Sequence, residues 1–166
     1  LADPRTVGPL CDVLASVRQE ENAGPYLEAL AAIGGKDAVS AVVAFVAQPG
    51  NEEDISVLAK IRDRQAAPII AAPLTRKATP AYKRAALLEL HRFADSSLLA
   101  PIETLLASAD AQTAKAAIDL LSRIPDAKSA ALLKTYAQNN PDSSVAPYAA
   151  RQAENVLSAL NASESR

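Results

Sequence analysis

Residues that carry chemistry in many enzymes are scarce in this chain of 166 residues. It has one cysteine, one histidine, no methionine and no tryptophan. A single cysteine cannot form an internal disulfide, and Cys11 and His91 are too few to build a thiolate or imidazole metal site. His91 stands beside Arg92 at the polar end of a predicted helix, where we expect a structural role. Cys11 falls on an apolar stripe, where burial raises the pKa of a thiol.

The chain also lacks long apolar runs and an excess of basic residues. Its longest nearly uncharged apolar run, residues 38–47, has about half of the roughly 20 residues that a membrane-spanning helix needs, so we predict no membrane span. Lysine and arginine total 17 against 19 acidic residues, for a net charge of -2. Nucleic-acid binding proteins usually carry a basic surplus, and nucleic acid is therefore the less favoured partner.

Apolar residues recur at helical spacing along almost the whole chain, and no window shows the alternation of a half-buried strand. We therefore predict an all-α protein of ten helices. Gly34 and Gly35 suit the left-handed conformation that ends a helix, and Pro25 and Pro80 fall where a first helical turn tolerates proline. Pro73 lies inside a predicted helix, which it should distort or split because proline has no N–H.

Acidic residues cluster after the break at Pro49 and Gly50, where no helix can continue. Asn51 precedes Glu52, Glu53 and Asp54. We interpret Asn51 as an N-cap and the three acids as partners of the helix dipole, which explains this carboxylate group without catalysis. The sequence contains no phosphate-binding glycine loop, metal-ligand spacing or nucleophile motif. We therefore predict a protein that is not an enzyme and has no cofactor.

Pairs of apolar anchor residues recur at a regular interval. The second anchors are Ile33, Ile61, Phe93 and Ile124, at intervals of 28 (33 to 61), 32 (61 to 93) and 31 (93 to 124) residues. Each follows three residues after a leucine: Leu30, Leu58, Leu90 and Leu121. A period of about 30 residues is typical of a helix-turn-helix repeat, whose units bury their apolar faces by stacking.

Residues 1–14, LADPRTVGPLCDVL, and 29–39, ALAAIGGKDAV, resemble HEAT-like repeats of the phycocyanobilin lyase type. The resemblance is good over residues 1–47 and degenerate beyond them. It implies a right-handed α-α superhelix, a solenoid of about five stacked helix pairs. The second helix of each pair would line a concave face. Bilin lyases, a domain of epoxyqueuosine reductase and some DNA glycosylases share such repeats, but this chain lacks the features that serve those activities.

The domain organisation expected is one HEAT-like repeat domain over residues 1–160, followed by a polar tail over residues 161–166. The first segment is a second-of-pair helix without a first, which suggests a larger parent chain. The last predicted helix has a polar stripe opposite its apolar one, as a solvent-facing end should. Its members are Arg151, Glu154, Asn155 and Ser158.

Two groups of residues are candidates for binding. The first would lie on the concave face, off the apolar stripes, in a groove that could accept a peptide or helix. It comprises Ser40, Gln48, Gln65, Glu103, Lys134 and Gln138. The second is the densest basic grouping, for which a solvated turn is favoured over a contact with phosphates or carboxylates. It comprises Arg62, Arg64, Arg76 and Lys77.

These observations favour a non-catalytic scaffold that binds a protein or peptide partner of unknown identity through its concave face. The alternatives are an accessory or substrate-positioning domain of a larger enzyme, nucleic-acid binding through the basic turn cluster, and a spacer between other domains. The sequence identifies neither the partner nor the cellular compartment.

Overall fold

The computed structural model describes residues 3–16, 22–75 and 78–164. Throughout these residues the chain is helical or in turns, with no strand, and it forms ten helical segments when 3-10 turns are counted with the α-helices they continue. The prediction of an all-α protein with ten helices is confirmed. No helix in the described part is both long and apolar enough to cross a membrane.

The helical segments follow one another along the chain with short connections. They are α1 (Val7–Ser16, after a 3-10 turn Pro4–Thr6), α2 (Gly24–Ile33), α3 (Gly35–Val46), the 3-10 helix Glu52–Lys60, α4 (Ala67–Ala71, between 3-10 turns Arg64–Ala66 and Ala72–Thr75), α5 (Pro80–Leu90, continued by His91–Phe93), α6 (Leu99–Leu106, after Ser96–Leu98), α7 (Ala111–Leu121), α8 (Ala127–Asn139) and α9 (Ala146–Glu164). Residues 161–164 of the predicted polar tail are therefore helical.

The glycines between α2 and α3 have the left-handed backbone that was expected of them. Gly34 has φ 69° and Gly35 has φ 77°. Gly34 ends α2, and its N–H donates to the carbonyl of Leu30 at 3.0 Å. A residue with a Cβ would be strained at either position, so two glycines allow α3 to begin at once after α2.

Prolines mark both the starts of helices and one change of helix type. Pro25 lies in the first turn of α2 and Pro80 begins α5, as predicted. Near Pro73 the α-helix ends at Ala71 and the chain continues as the 3-10 turn Ala72–Thr75. The missing N–H of Pro73 cannot complete an α-helical hydrogen bond, and the expected distortion takes this form.

Asn51 lies at the predicted N-cap position and Glu52, Glu53 and Asp54 fall in the first turn that follows, but the Asn51 side chain does not cap the helix. The Asn51 side chain makes no capping bond; its amide donates instead to the carbonyl of Phe45, near the end of α3, at 2.9 Å. The segment that follows is a 3-10 helix, and the Glu52 carboxylate accepts from the N–H of Gly50 at 3.0 Å. Asn51 therefore ties the end of one helix to the start of the next by giving the carbonyl of Phe45 a second donor beside the N–H of Gln48, which lies 3.2 Å from it.

The chain divides into two compact units, Leu1–Glu89 and Leu90–Arg166. In the first, α2 packs on α1, α3 and the 3-10 helix Glu52–Lys60, while α3 packs on α1 and α4. In the second, α6 packs on α7 and α8, and α9 packs on α7 and most extensively on α8. In the second unit, each of these helices thus contacts the next one along the chain, and α6 and α7 also contact the one after it.

The anchor residues of the proposed repeat lie in these cores. Leu30, Leu58, Ile61, Leu90, Phe93, Leu121 and Ile124 are all buried, and Ile33 is half-buried. Along α9 the four residues of the predicted polar stripe are exposed, while Ala149, Ala153 and Val156 are buried. The sequence pattern therefore identified the buried face of these segments correctly.

Candidate functional site

A cleft of about 160 Å³ lies in the second unit, between α6 and α8. Its walls come from the C-terminal half of α6, from α8 between Leu132 and Asn139, and from the residue after each helix. The lining residues are Glu103, Leu106, Ala107, Leu132, Thr135, Tyr136, Asn139 and Asn140. Clefts that enclose a cofactor or drug-sized ligand usually measure about 300–1,000 Å³, so this one has the size of a single side chain.

The sequence of α8 explains how one wall forms. Leu132, Thr135, Tyr136 and Asn139 are spaced at i, i+3, i+4 and i+7, which places them on one face of the helix. Leu132 and Tyr136 supply the apolar floor, and Thr135 and Asn139 are exposed at the rim.

Both ends of α8 are fixed by side-chain hydrogen bonds. At the N-terminus the Asp126 carboxylate accepts from the N–H of Lys128 at 2.7 Å. At the C-terminus the carbonyl of Tyr136 accepts from the Asn140 side-chain amide at 2.9 Å and from the Asn140 N–H at 3.1 Å. These bonds satisfy helix-end groups that have no partner within the helix, and they hold the wall of the cleft in place.

Glu103 carries the only formal charge among the eight described residues that line the cleft. Its carboxylate lies 3.5 Å from the ammonium of Lys128, with 52% of its side chain and 55% of that of Lys128 exposed. Ion pairs that are open to solvent contribute little, typically about 0–1 kcal/mol. The ion pair between Glu103 and Lys128 is therefore weak and open to solvent.

Only Glu103 among the predicted concave-face residues lines this cleft. Lys134 and Gln138 are exposed on α8, but their positions on the helix turn them away from the face formed by Leu132, Thr135 and Tyr136. Leu132 and Tyr136 are apolar residues at helical spacing, a pattern that by itself predicts a core position. The signal that sequence reasoning missed is that Thr135 and Asn139, on the same stripe, are polar.

The other three predicted concave-face residues belong to the first unit. Ser40 is half-buried on α3, and Gln48 is exposed after α3, where its amide donates to the carbonyl of Ala44 at 3.0 Å. Gln65 is exposed in the 3-10 turn Arg64–Ala66. Ser40 lies on α3, Gln48 just after it, and Gln65 in the turn that precedes α4. The helices α3 and α4 pack on each other.

The predicted basic cluster is described only in part. Arg62 is exposed in the connection before α4. Arg64 begins the 3-10 turn Arg64–Ala66, and its side chain lies outside the described part. Arg76 and Lys77 also lie outside the described residues. Nucleic-acid binding through this cluster stays a prediction.

A group of titratable side chains links α7 and α9 in the second unit. The hydroxyl of Tyr148 donates to the carboxylate of Asp119, and this bond, followed by burial, raises the pKa of Tyr148. The Lys115 ammonium lies 5.9 Å from the centre of the Tyr148 ring. These contacts join α7 and α9 among half-buried and exposed side chains, and a structural role accounts for them.

His91 lies near the same group. Burial and the charge of Arg123 lower the pKa of His91, and the charge of Asp119 partly opposes them. At neutral pH the imidazole is therefore uncharged.

Cys11 is half-buried on α1, and its pKa is raised, first by burial and then by the charges of Asp12 and Asp37. A raised pKa keeps the thiol protonated at neutral pH, in line with the sequence-based expectation. Across the described residues, no three histidine, cysteine or acidic side chains are placed to hold a metal ion.

Comparison with protein-family models, with curated proteins and with solved structures finds no match to this chain. The candidate site therefore depends on the geometry of its own residues.

Proposed function

We propose that this protein is a non-catalytic helical-repeat scaffold that binds a protein or peptide partner, and that the cleft between α6 and α8 is part of its binding face. The observation that carries the proposal is the cleft itself: a side-chain-sized opening with an apolar floor and a polar rim. Such an opening suits one anchoring side chain of a larger partner, because interfaces gain most of their affinity from a few residues that fill pockets.

Packing within each unit supports a solenoid of stacked helix pairs. When the ten helical segments are counted along the chain, alternate segments contact each other and so form two rows. In the first unit, one row contains the first, third and fifth segments, α1, α3 and α4, in which α1 contacts α3 and α3 contacts α4. The other row contains α2 and the 3-10 helix Glu52–Lys60, the second and fourth segments, which also contact each other. In the second unit α6 contacts α8, and α7 contacts α9. Two rows of neighbouring helices are what an α-α repeat builds by stacking. The right-handed HEAT-like superhelix implied by the resemblance is the form that we propose.

The position of the cleft also supports a binding role. In the proposed repeat, α5 pairs with α6 and α7 pairs with α8, so α6 and α8 are second helices of their pairs. The resemblance places the row of second helices on the concave face. Repeat proteins commonly use such a face as an extended binding surface. The small volume of the cleft favours recognition of a single side chain.

Filling the cleft tests this function. Ala107 is exposed at its wall, so Ala107→Trp should occupy the opening without disturbing the core. Ala131 is also exposed, on α8, but does not line the cleft, and Ala131→Trp is the matched control. We expect a partner protein captured from the native source by the wild-type chain to be lost with Ala107→Trp and kept with Ala131→Trp. Equal capture by both variants would show that the cleft is not the binding site.

A further inference from the structure

The cleft between α6 and α8 has a charge pattern that narrows the chemistry of its occupant. We propose that it binds an arginine side chain of the partner; this inference rests on the proposed function. Three features point to that residue: two helix ends that meet at the cleft, one acidic side chain, and an apolar floor beside an aromatic ring.

The helix ends give the cleft a negative potential. Leu106 is the last residue of α6 and Asn139 the last of α8, and the residues that follow them, Ala107 and Asn140, also line the opening. The C-terminus of a helix carries the equivalent of about half a negative charge, which favours cations in its last turn. The C-termini of α6 and α8 both lie at the opening, so both make its electrostatic potential more negative.

Glu103 adds a full negative charge to this potential. No basic residue is among the eight that line the cleft. The Glu103 carboxylate forms an ion pair with the ammonium of Lys128, at 3.5 Å. Lys128 lies in the first turn of α8, away from the two helix ends. An incoming cation would therefore meet a carboxylate whose present ion pair is weak and open to water.

The remaining residues favour arginine over lysine. A guanidinium is planar, carries five N–H donors and stacks on aromatic rings. Around the opening, the Glu103 carboxylate and the side-chain oxygens of Thr135 and Asn139 can accept hydrogen bonds, while Leu106, Leu132 and Tyr136 offer an apolar floor to the aliphatic stem. Lysine would present a compact, strongly hydrated charge to the same surface and use fewer of these acceptors.

The test uses N-acetyl-arginine methylamide, with N-acetyl-citrulline methylamide as its uncharged counterpart, titrated into the full chain by backbone amide NMR. We expect saturable shifts at Glu103, Leu106, Thr135 and Asn139 with the arginine compound, and affinity at least about fivefold lower for the citrulline compound. Glu103→Gln should weaken arginine binding severalfold. Glu154→Gln removes the same charge at an exposed site on α9 and should leave binding unchanged.

Equal affinity for the two compounds, equal effects of the two variants, or no shifts at the cleft would each overturn the inference. Such a result differs from failure of the proposed function. If arginine binding is absent while Ala107→Trp still abolishes capture of the partner, the cleft binds a partner through another side chain. If Ala107→Trp leaves capture intact, the binding face lies elsewhere.

Discussion

The hydroxyl of Tyr82, on α5, donates a hydrogen bond of 2.9 Å to the backbone carbonyl of Ile70, on α4. Both residues are fully buried, and burial raises the pKa of Tyr82. In a 3-10 turn the carbonyl of residue 70 would pair with the N–H of residue 73, but that residue is Pro73, which has none. Tyr82 supplies a donor to this carbonyl, and it fastens α5 to the end of α4, next to the 3-10 turn Ala72–Thr75.

Replacement of Tyr82 by phenylalanine should therefore leave a buried carbonyl without this donor. We expect Tyr82→Phe to lower the free energy of unfolding by about 1–3 kcal/mol, measured by urea denaturation. Tyr26→Phe, on α2, removes the same atom away from Pro73 and should cost less. In a Pro73→Ala background the loss from Tyr82→Phe should shrink, because residue 73 regains an N–H; an undiminished loss would contradict this account.

The turn between α2 and α3 depends on left-handed backbone at Gly35. A Cβ added there would meet no atom within 4 Å, so the cost of Gly35→Ala is conformational alone. We expect a loss of about 1–2 kcal/mol in the free energy of unfolding. Gly8, in α1, also has open space around it but no positive φ. Gly8→Ala should therefore leave thermal stability equal or higher, and equal losses at the two sites would refute the conformational explanation.

The only histidine gives a direct reading of the electrostatics around Asp119. Because the pKa of His91 is lowered from 6.5 in the folded chain, the stability it contributes is present above about pH 6.5 and is lost as pH falls through the lowered value. We expect Arg123→Gln to raise the pKa of His91 and Asp119→Asn to lower it further. The imidazole proton resonances, which belong to one residue, measure both shifts. Shifts in the reverse directions would show that other charges dominate.

The sequence predicted the helical segments better than it predicted the residues of the candidate site. Helical spacing, the freedom of Gly34 and Gly35 to adopt positive φ and the fixed φ of Pro80 predicted the segments, because these effects act within a few residues. The role of Asn51 was misread because its partner, the carbonyl of Phe45, depends on how α3 ends. Local patterns alone do not specify such contacts.

The site depends on contacts between helices, which is why sequence reasoning found little of it. Glu103 was predicted as a binding residue, and it lines the cleft. Lys134 was predicted with it but faces another side of α8, and Tyr136, which lines the cleft, was not among the predicted binding residues. A residue that lines a cleft can lie on the same apolar stripe of a helix as a core residue. Whether such a residue is in the core or in the cleft depends on the gap between α6 and α8, which the sequence of one helix does not show.

The central claim, that a partner docks in the cleft between α6 and α8, is tested most directly by site-specific photo-crosslinking. A benzophenone side chain would replace Thr135, at the rim of the cleft, or Lys134, exposed beside it on another side of α8. After irradiation in extracts of the native source, we expect a crosslinked partner from position 135 and little from position 134. Crosslinking from position 134 alone, or equal yields from both, would contradict the claim.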